Sequence, residues 1–328
     1  MTQCDCCPAR GTHVPESQKR KRGRTRAAGK GLSVLDVDRM FDLVVDETFK
    51  LRPPDVLYHY TMWQGAEGIL TGQHFRATAH DCTNDPAELA TAADVIVGVA
   101  RELRRDSTGL AGSVLDLFLE SYSHLQLGGI MKVYLVCFSA ARDDPQQWRR
   151  YGDSGRGVCL GIRVLDEPGP RNRESGSALV RVDYSEASWH DSVKSGFTQV
   201  LSLLGRAEST RANFELALNA LLRIAAFASI AAKQPQWAPE QEFRYVTILH
   251  KDSTIAPKIR DTNGKAIPYL ETVVRADGKR IALAEIIIGA NQDPEAAALR
   301  LRAVLAEAGY SPGDMEYPSI VVSNHQLP

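Results

Sequence analysis

Residues 132–139 read KVYLVCFS, a run of β-branched, aromatic and aliphatic side chains with a single charge at its first position. No polar face alternates with the apolar one, so the run reads as a strand covered on both sides, in the middle of a sheet. Similar runs stand downstream at VCLGIRV (158–164), ALVRVDY (178–184), EFRYVTIL (242–249) and IALAEIIIG (281–289), with short ones at 55–60 and 319–323. Between them the apolar residues recur at helical spacing over 63–70, 88–105, 112–125, 187–206 and 211–232. Residues 143–151 form a short polar helix, and DPEAAALRLRAVLAEAG is an amphipathic helix closed by Gly309. The strands cluster around two helical insertions instead of alternating with helices, which gives an α+β fold on a mixed or antiparallel sheet.

Away from this framework the chain changes character. Residues 1–32 carry Lys19, Arg20, Lys21, Arg22, Arg24, Arg26 and Lys30 and few large apolar groups. Such a segment cannot bury enough surface to offset its ordering entropy, so it reads as a disordered basic tail. It is either a solvated tail or an arm whose residues 19–30 touch nucleic-acid phosphates. A helix follows over 33–51, and residues 33–328 read as one α+β domain.

Composition sets further limits. The 328 residues are 44% hydrophobic and 24% charged, with a formal net charge of −1, so no global field draws the protein to nucleic acid or membrane. Six cysteines are too few for a disulfide scaffold. Cys4, Cys6 and Cys7 have no second ligand pair at zinc spacing, so no metal is expected. Cys137 and Cys159 lie inside apolar runs and read as buried thiols. The opening residues are polar and basic, unlike a signal peptide. The most apolar stretch, 216–232, contains Arg223 and falls short of the ~20 residues a bilayer requires, so a cytoplasmic protein without a membrane span is expected.

Four short motifs carry the residues able to do chemistry. In YHYT (58–61), strand alternation projects His59 with Leu57 and Thr61, opposite Tyr58 and Tyr60. His59 is either a structural histidine or a ligand contact. In NDPAE (84–88), Asp85 either closes a turn before Pro86 or reaches a ligand hydroxyl. In WRRYGDSGRG (148–157), Trp148 and Tyr151 share a helix face beside glycines that permit close approach, so Tyr151 either anchors the helix or stacks on a flat heterocycle. In EQEFR (240–244), alternation places Glu240, Glu242 and Arg244 on one face of a strand. They form either a Glu–Arg ion pair or a carboxylate pair that steadies a developing positive charge.

Taken in order, LYHYT, NDPAE, VCFS, WRRYGDSGRGVCLGI, Lys233 with W-x-x-E-x-E-x-R, and IVVS resemble the bacterial domain of unknown function 2971 family over roughly residues 55–325. YHYT followed by GILTG is also similar to the opening of ADP-ribosyltransferase-like folds. That second resemblance implies a split β-sheet that grips NAD, and an NAD-dependent ADP-ribosyltransferase or NAD glycohydrolase, as found among toxins and anti-phage effectors. Carried over, it gives His59 the adenosine-side ribose hydroxyl and lets Tyr151 stack on nicotinamide, with Ser139 competing for that middle role. Glu242 stabilises the cationic sugar, and Glu240 orients or deprotonates the acceptor, a protein or nucleic acid. The alternative is a non-catalytic module that uses the same pocket for a nucleotide or a nucleic-acid end.

Overall fold

The computed structural model describes residues 53–83, 89–124, 131–164, 175–250, 253–262, 264–273, 280–314 and 317–327. The basic tail, its cysteines, the helix read over 33–51 and the turn holding Asp85 lie outside these residues.

The KVYLVCFS run is the hub of the sheet. It forms β3 (Met131–Ser139), which pairs along its whole length with β6 (Glu242–His250), from Met131↔His250 to Ser139↔Glu242. Its other edge is shared by two strands. β1 (Val56–Thr61) meets it at Tyr58↔Ser139, and β2 (Phe75–Ala79) meets it at Thr78↔Leu135 and Ala79↔Tyr134. Between these bridges, at Cys137, no strand of the described residues lies alongside, and the sheet divides in two.

One wing runs outward from β1 through β4 (Val158–Arg163), β9 (Leu283–Ile288) and β10 (Ser319–Val322). The other runs from β2 through β8 (Lys265–Thr272) to β7 (Lys258–Thr262), while β5 (Ser175–Arg181) extends β6. The pairings are antiparallel except for β9 with β10. The fold is thus α+β on a mixed, mostly antiparallel and split sheet.

The faces of the sheet bury two large cores and a smaller cluster around Tyr58, Tyr60, Trp148 and Cys159. Residues paired across strands share a face, so Leu135, Cys137, Ser139, Glu242, Arg244 and Val246 stand together, opposite Tyr134, Val136, Phe138, Phe243 and Tyr245. α1 (Trp63–Gly72) packs beneath the second set through Ala66, Ile69 and Leu70. The first set lies under α2 (Ala93–Asp106) and α3 (Gly109–His124), which supply Ile96, Val99, Leu115 and Phe118. α4 (Pro145–Arg150) is a short helix that starts with proline and is capped by Asp144, whose side chain accepts from two backbone amides. α5 (Glu186–Leu204) and α6 (Arg211–Ala231) complete the first core. α7 (Pro294–Glu307) brings Leu301 and Leu305 to the second core. By length and composition α6 could cross a membrane, yet 61% of its apolar window is buried inside the protein.

Several sequence expectations change. Glu240 is not on the strand: it ends a 3₁₀ turn, Pro235–Glu240, and Gln241 takes a left-handed conformation (φ 45°) before β6 begins. Hence strand alternation does not explain why Glu240 and Glu242 meet. The strand expected from 281 starts at Leu283, and the helix expected from 88 starts at Ala93. β2 and the β7–β8 hairpin had no counterpart in the sequence reading. Cys137 is exposed, not buried, because its edge of β3 faces the split, whereas Cys159 is buried as expected.

Candidate functional site

A cavity of about 400 Å³ occupies the split. Six of the residues singled out from the sequence line it: His59, Thr61, Ser139, Tyr151, Glu240 and Glu242. Asp85 lies outside the described residues.

His59 comes from β1, whose neighbour Tyr58 shares a face with Ser139 and therefore with Glu242. The imidazole thus leaves the sheet on the face opposite the Glu242 carboxylate, and both reach one cavity because the sheet is open between them. The ring packs against Phe75 (5.3 Å between centroids) and Phe138 (5.7 Å). Its Nδ1 lies 2.9 Å from the Cys137 carbonyl oxygen. A carbonyl only accepts, so Nδ1 carries the proton and Nε2 is left as an acceptor. Burial pushes the His59 pKa down, more than the carbonyl bond raises it, and the ring is neutral. Thr61 lies against Gly65, where a Cβ would stand 2.1 Å from the Thr61 hydroxyl.

On the opposite face, acids and bases form a closed cluster. Lys233 Nζ donates to Glu240 Oε2 at 2.6 Å and to Glu242 Oε2 at 2.7 Å. Arg244 Nε donates to Glu242 Oε1 at 3.0 Å and Nη2 to Oε2 at 3.3 Å. Arg150 Nη1 and the Tyr151 hydroxyl both donate to Glu240 Oε1, at 2.9 and 3.0 Å. The Cys137 thiol also bonds Glu242. Lys233, Glu240, Glu242 and Arg244 are all buried, Arg244 completely. Burial alone would raise the Glu242 pKa, but Arg244 and Lys233 outweigh it and hold it down, to about 2. Burial would lower Lys233, and the two glutamates reverse that and raise it. The pair of carboxylates does steady a positive charge, and that charge is the protein's own lysine.

Ser139 and Tyr151 are committed within the same network. The Ser139 hydroxyl donates to the Glu240 carbonyl oxygen at 2.6 Å and accepts from the Ala141 amide at 3.0 Å, so it fixes the chain leaving β3. The Tyr151 phenol is pushed up, first by burial and then by the Glu240 charge, and stays protonated. Trp237 completes this wall, with the Arg150 guanidinium 4.4 Å from its ring centre and the Lys233 ammonium 5.3 Å away. Across the cavity stand Arg76, Arg260 and Thr78, from β2 and β7. These three belong to strands that sequence reasoning missed, and nothing in their local pattern marks them. Gln147 was also missed, although it lies within the helix read at 143–151. Among the described residues no group of three or more His, Cys, Asp or Glu could hold a metal ion.

The residues of this cluster other than Cys137 and Ser139 fall in a single stretch of sequence. Residues 147–245 match the DUF2971 family. Its description is "Protein of unknown function (DUF2971)". The DUF2971 match takes in Arg150, Tyr151, Lys233, Trp237, Glu240, Glu242 and Arg244, and therefore the whole ion network with the aromatic wall beside it. It is narrower than the 55–325 expected from motif order, because LYHYT, NDPAE, VCFS and IVVS lie beyond its ends. No curated protein and no solved structure matches the chain.

Proposed function

We propose that the cavity binds a nucleotide, and that NAD is its ligand. The observation that carries this is the cavity's setting in the split of the sheet, with aromatic rings at both sides: Tyr151 and Trp237 on one, His59, Phe75 and Phe138 on the other. Flat heterocycles stack on such rings, and a dinucleotide presents two of them. The volume falls within the range of small-ligand sites. His59 Nε2 is an acceptor suited to a ribose hydroxyl. A soluble, cytoplasmic setting goes with this ligand. The test is calorimetric titration of the full chain with NAD. Binding in the micromolar range that Trp237→Ala weakens at least tenfold supports the reading, and no heat up to millimolar NAD overturns it.

A second reading is turnover, in which the bond between nicotinamide and C1′ of the ribose breaks. Nicotinamide leaves with the bonding electron pair, and water or an acceptor on protein or nucleic acid supplies a new pair to C1′ and gives up a proton. The convergence of His59, Tyr151, Glu240 and Glu242 favours it. The ion network weighs against it, since both carboxylates are already saturated and three cations (Lys233, Arg150, Arg244) face two acids, a poor setting for a sugar cation. Binding without nicotinamide release, with or without nucleic acid as acceptor, leaves the first reading alone. Release that Glu240→Gln abolishes while NAD still binds establishes the second.

A further inference from the structure

Arg260, in the cavity wall, carries an unmet polar atom. Its Nε is buried without a hydrogen-bond partner, the one side-chain polar atom of that kind among the described residues. Its Nη2 donates to Thr78 Oγ1 at 3.1 Å. Arg76 stands close by with its guanidinium 5.3 Å from the Tyr269 ring centre, and its charge bears on Arg260. Burial first, and then Arg76, push the Arg260 pKa down, the direction expected where like charges crowd without an anion between them. The carboxylate opposite Arg76 in register is Glu271, but its oxygens are taken by Lys258 (2.6 Å) and His74 (3.3 Å). Neither arginine forms an ion pair among the described residues.

Register places Arg76 and Thr78 on the face that carries Leu135, Cys137 and Glu242, so both arginines meet the cavity on the side of the ion cluster. A buried guanidinium nitrogen left without an acceptor is destabilising unless something fills that side of the fork. Planar donors in this arrangement match phosphate oxygens, and two of them suit a diphosphate better than a lone monoanion.

We propose that Arg76 and Arg260, with the Thr78 hydroxyl, form a subsite for the phosphate or diphosphate group of the ligand. The subsite names the anionic part of the nucleotide proposed above and stands on its own geometry, so it does not require NAD to be the ligand or to be cleaved.

The experiment compares adenosine, ADP and inorganic pyrophosphate by calorimetry on the full chain, with Arg76→Gln and Arg260→Gln as variants. ADP is expected to bind at least tenfold tighter than adenosine. Each variant is expected to cut that preference at least tenfold while leaving adenosine unchanged, and pyrophosphate is expected to raise the melting temperature of the unsubstituted protein alone. Measurable but equal binding of ADP and adenosine, a preference that survives both substitutions, or no binding of either ADP or pyrophosphate overturns the subsite. Should Arg260→Gln fail to fold, the exposed Arg76→Gln decides by itself. Pyrophosphate binding without ADP binding keeps the anion subsite and removes the nucleotide. Nicotinamide release is read separately, so a failure of turnover leaves this result intact.

Discussion

Lys233 stands where one ammonium neutralises two buried carboxylates, and the chemistry of the cluster follows from that geometry. Removing it leaves Glu240 and Glu242 side by side and buried without the ammonium that bridges them. Lys233→Met is expected to lower stability by about 3–5 kcal/mol, read as a shift in the urea midpoint at unchanged slope. Acid should find the same weak point. Glu242 is held below its ordinary value of 4.5, at about 2. Its stabilising contribution is therefore complete above pH 4.5 and disappears as the pH falls through 2. Melting temperatures taken between pH 5 and pH 3 should drop in the natural protein, and Glu242→Gln should remove part of that slope. His59 moves in a comparable sense for a different reason. Burial depresses its pKa below 6.5, so protons favour the unfolded chain as pH falls beneath that value. In an NMR titration its ring signal should report protonation only below pH 6.5.

At the scale of elements, the connection from α4 to β4 is the tightest piece of construction. Gly157 has the Thr61 carbonyl oxygen 2.3 Å from where a Cβ would sit and the Gly152 carbonyl oxygen at 2.9 Å, both backbone atoms that cannot swing aside. Gly157→Ala should cost about 1–3 kcal/mol or more through overpacking and should disturb the cavity, since Thr61 and Tyr151 lie at either end of this turn. Thermal denaturation with near-ultraviolet dichroism would register both. Elements with strong apolar runs were legible in the sequence: β3, β4, β6, α5 and α6 fall within a few residues of where their patterns put them. β7 was not, because an edge strand with four of its five residues exposed carries no apolar alternation to read. Arg260 was lost with it. Glu240 and Glu242 were legible as a pair, but the cause given for their meeting, strand alternation, was not the one that operates. A 3₁₀ turn and the lysine at the end of α6 bring them together, and neither is written in a periodic pattern. Cys137 looked buried because its neighbours are apolar. Only the three-dimensional pairing reveals that, among the described residues, no strand lies along its edge.

Taken whole, the described residues pack three apolar clusters on the faces of one sheet, with β3 and β6 buried between the two larger ones. Opening their nine-residue ladder would expose both cores, whereas β7 rests at the rim with one neighbour. Hydrogen exchange should follow this ranking: the β3 amides directed at β6 should exchange only through global unfolding, that of Cys137 on the open edge earlier, and those of 258–262 well before either. A ligand filling the cavity would touch both wings at once. Binding should therefore slow exchange in β1 and β2 together, a pattern that mass spectrometry can resolve by peptide.

The fork at β3 has a consequence for how such a protein can diverge. A ligand seated between two departing strands is gauged by how far they part, and they leave β3 at the bridges of Ser139 and Leu135. Both residues are buried, Leu135 within the first core and Ser139 tied to the Glu240 carbonyl, so a substitution at either alters slot and interior together. Descendants of one ancestral chain therefore change what they accept only along with the packing behind it.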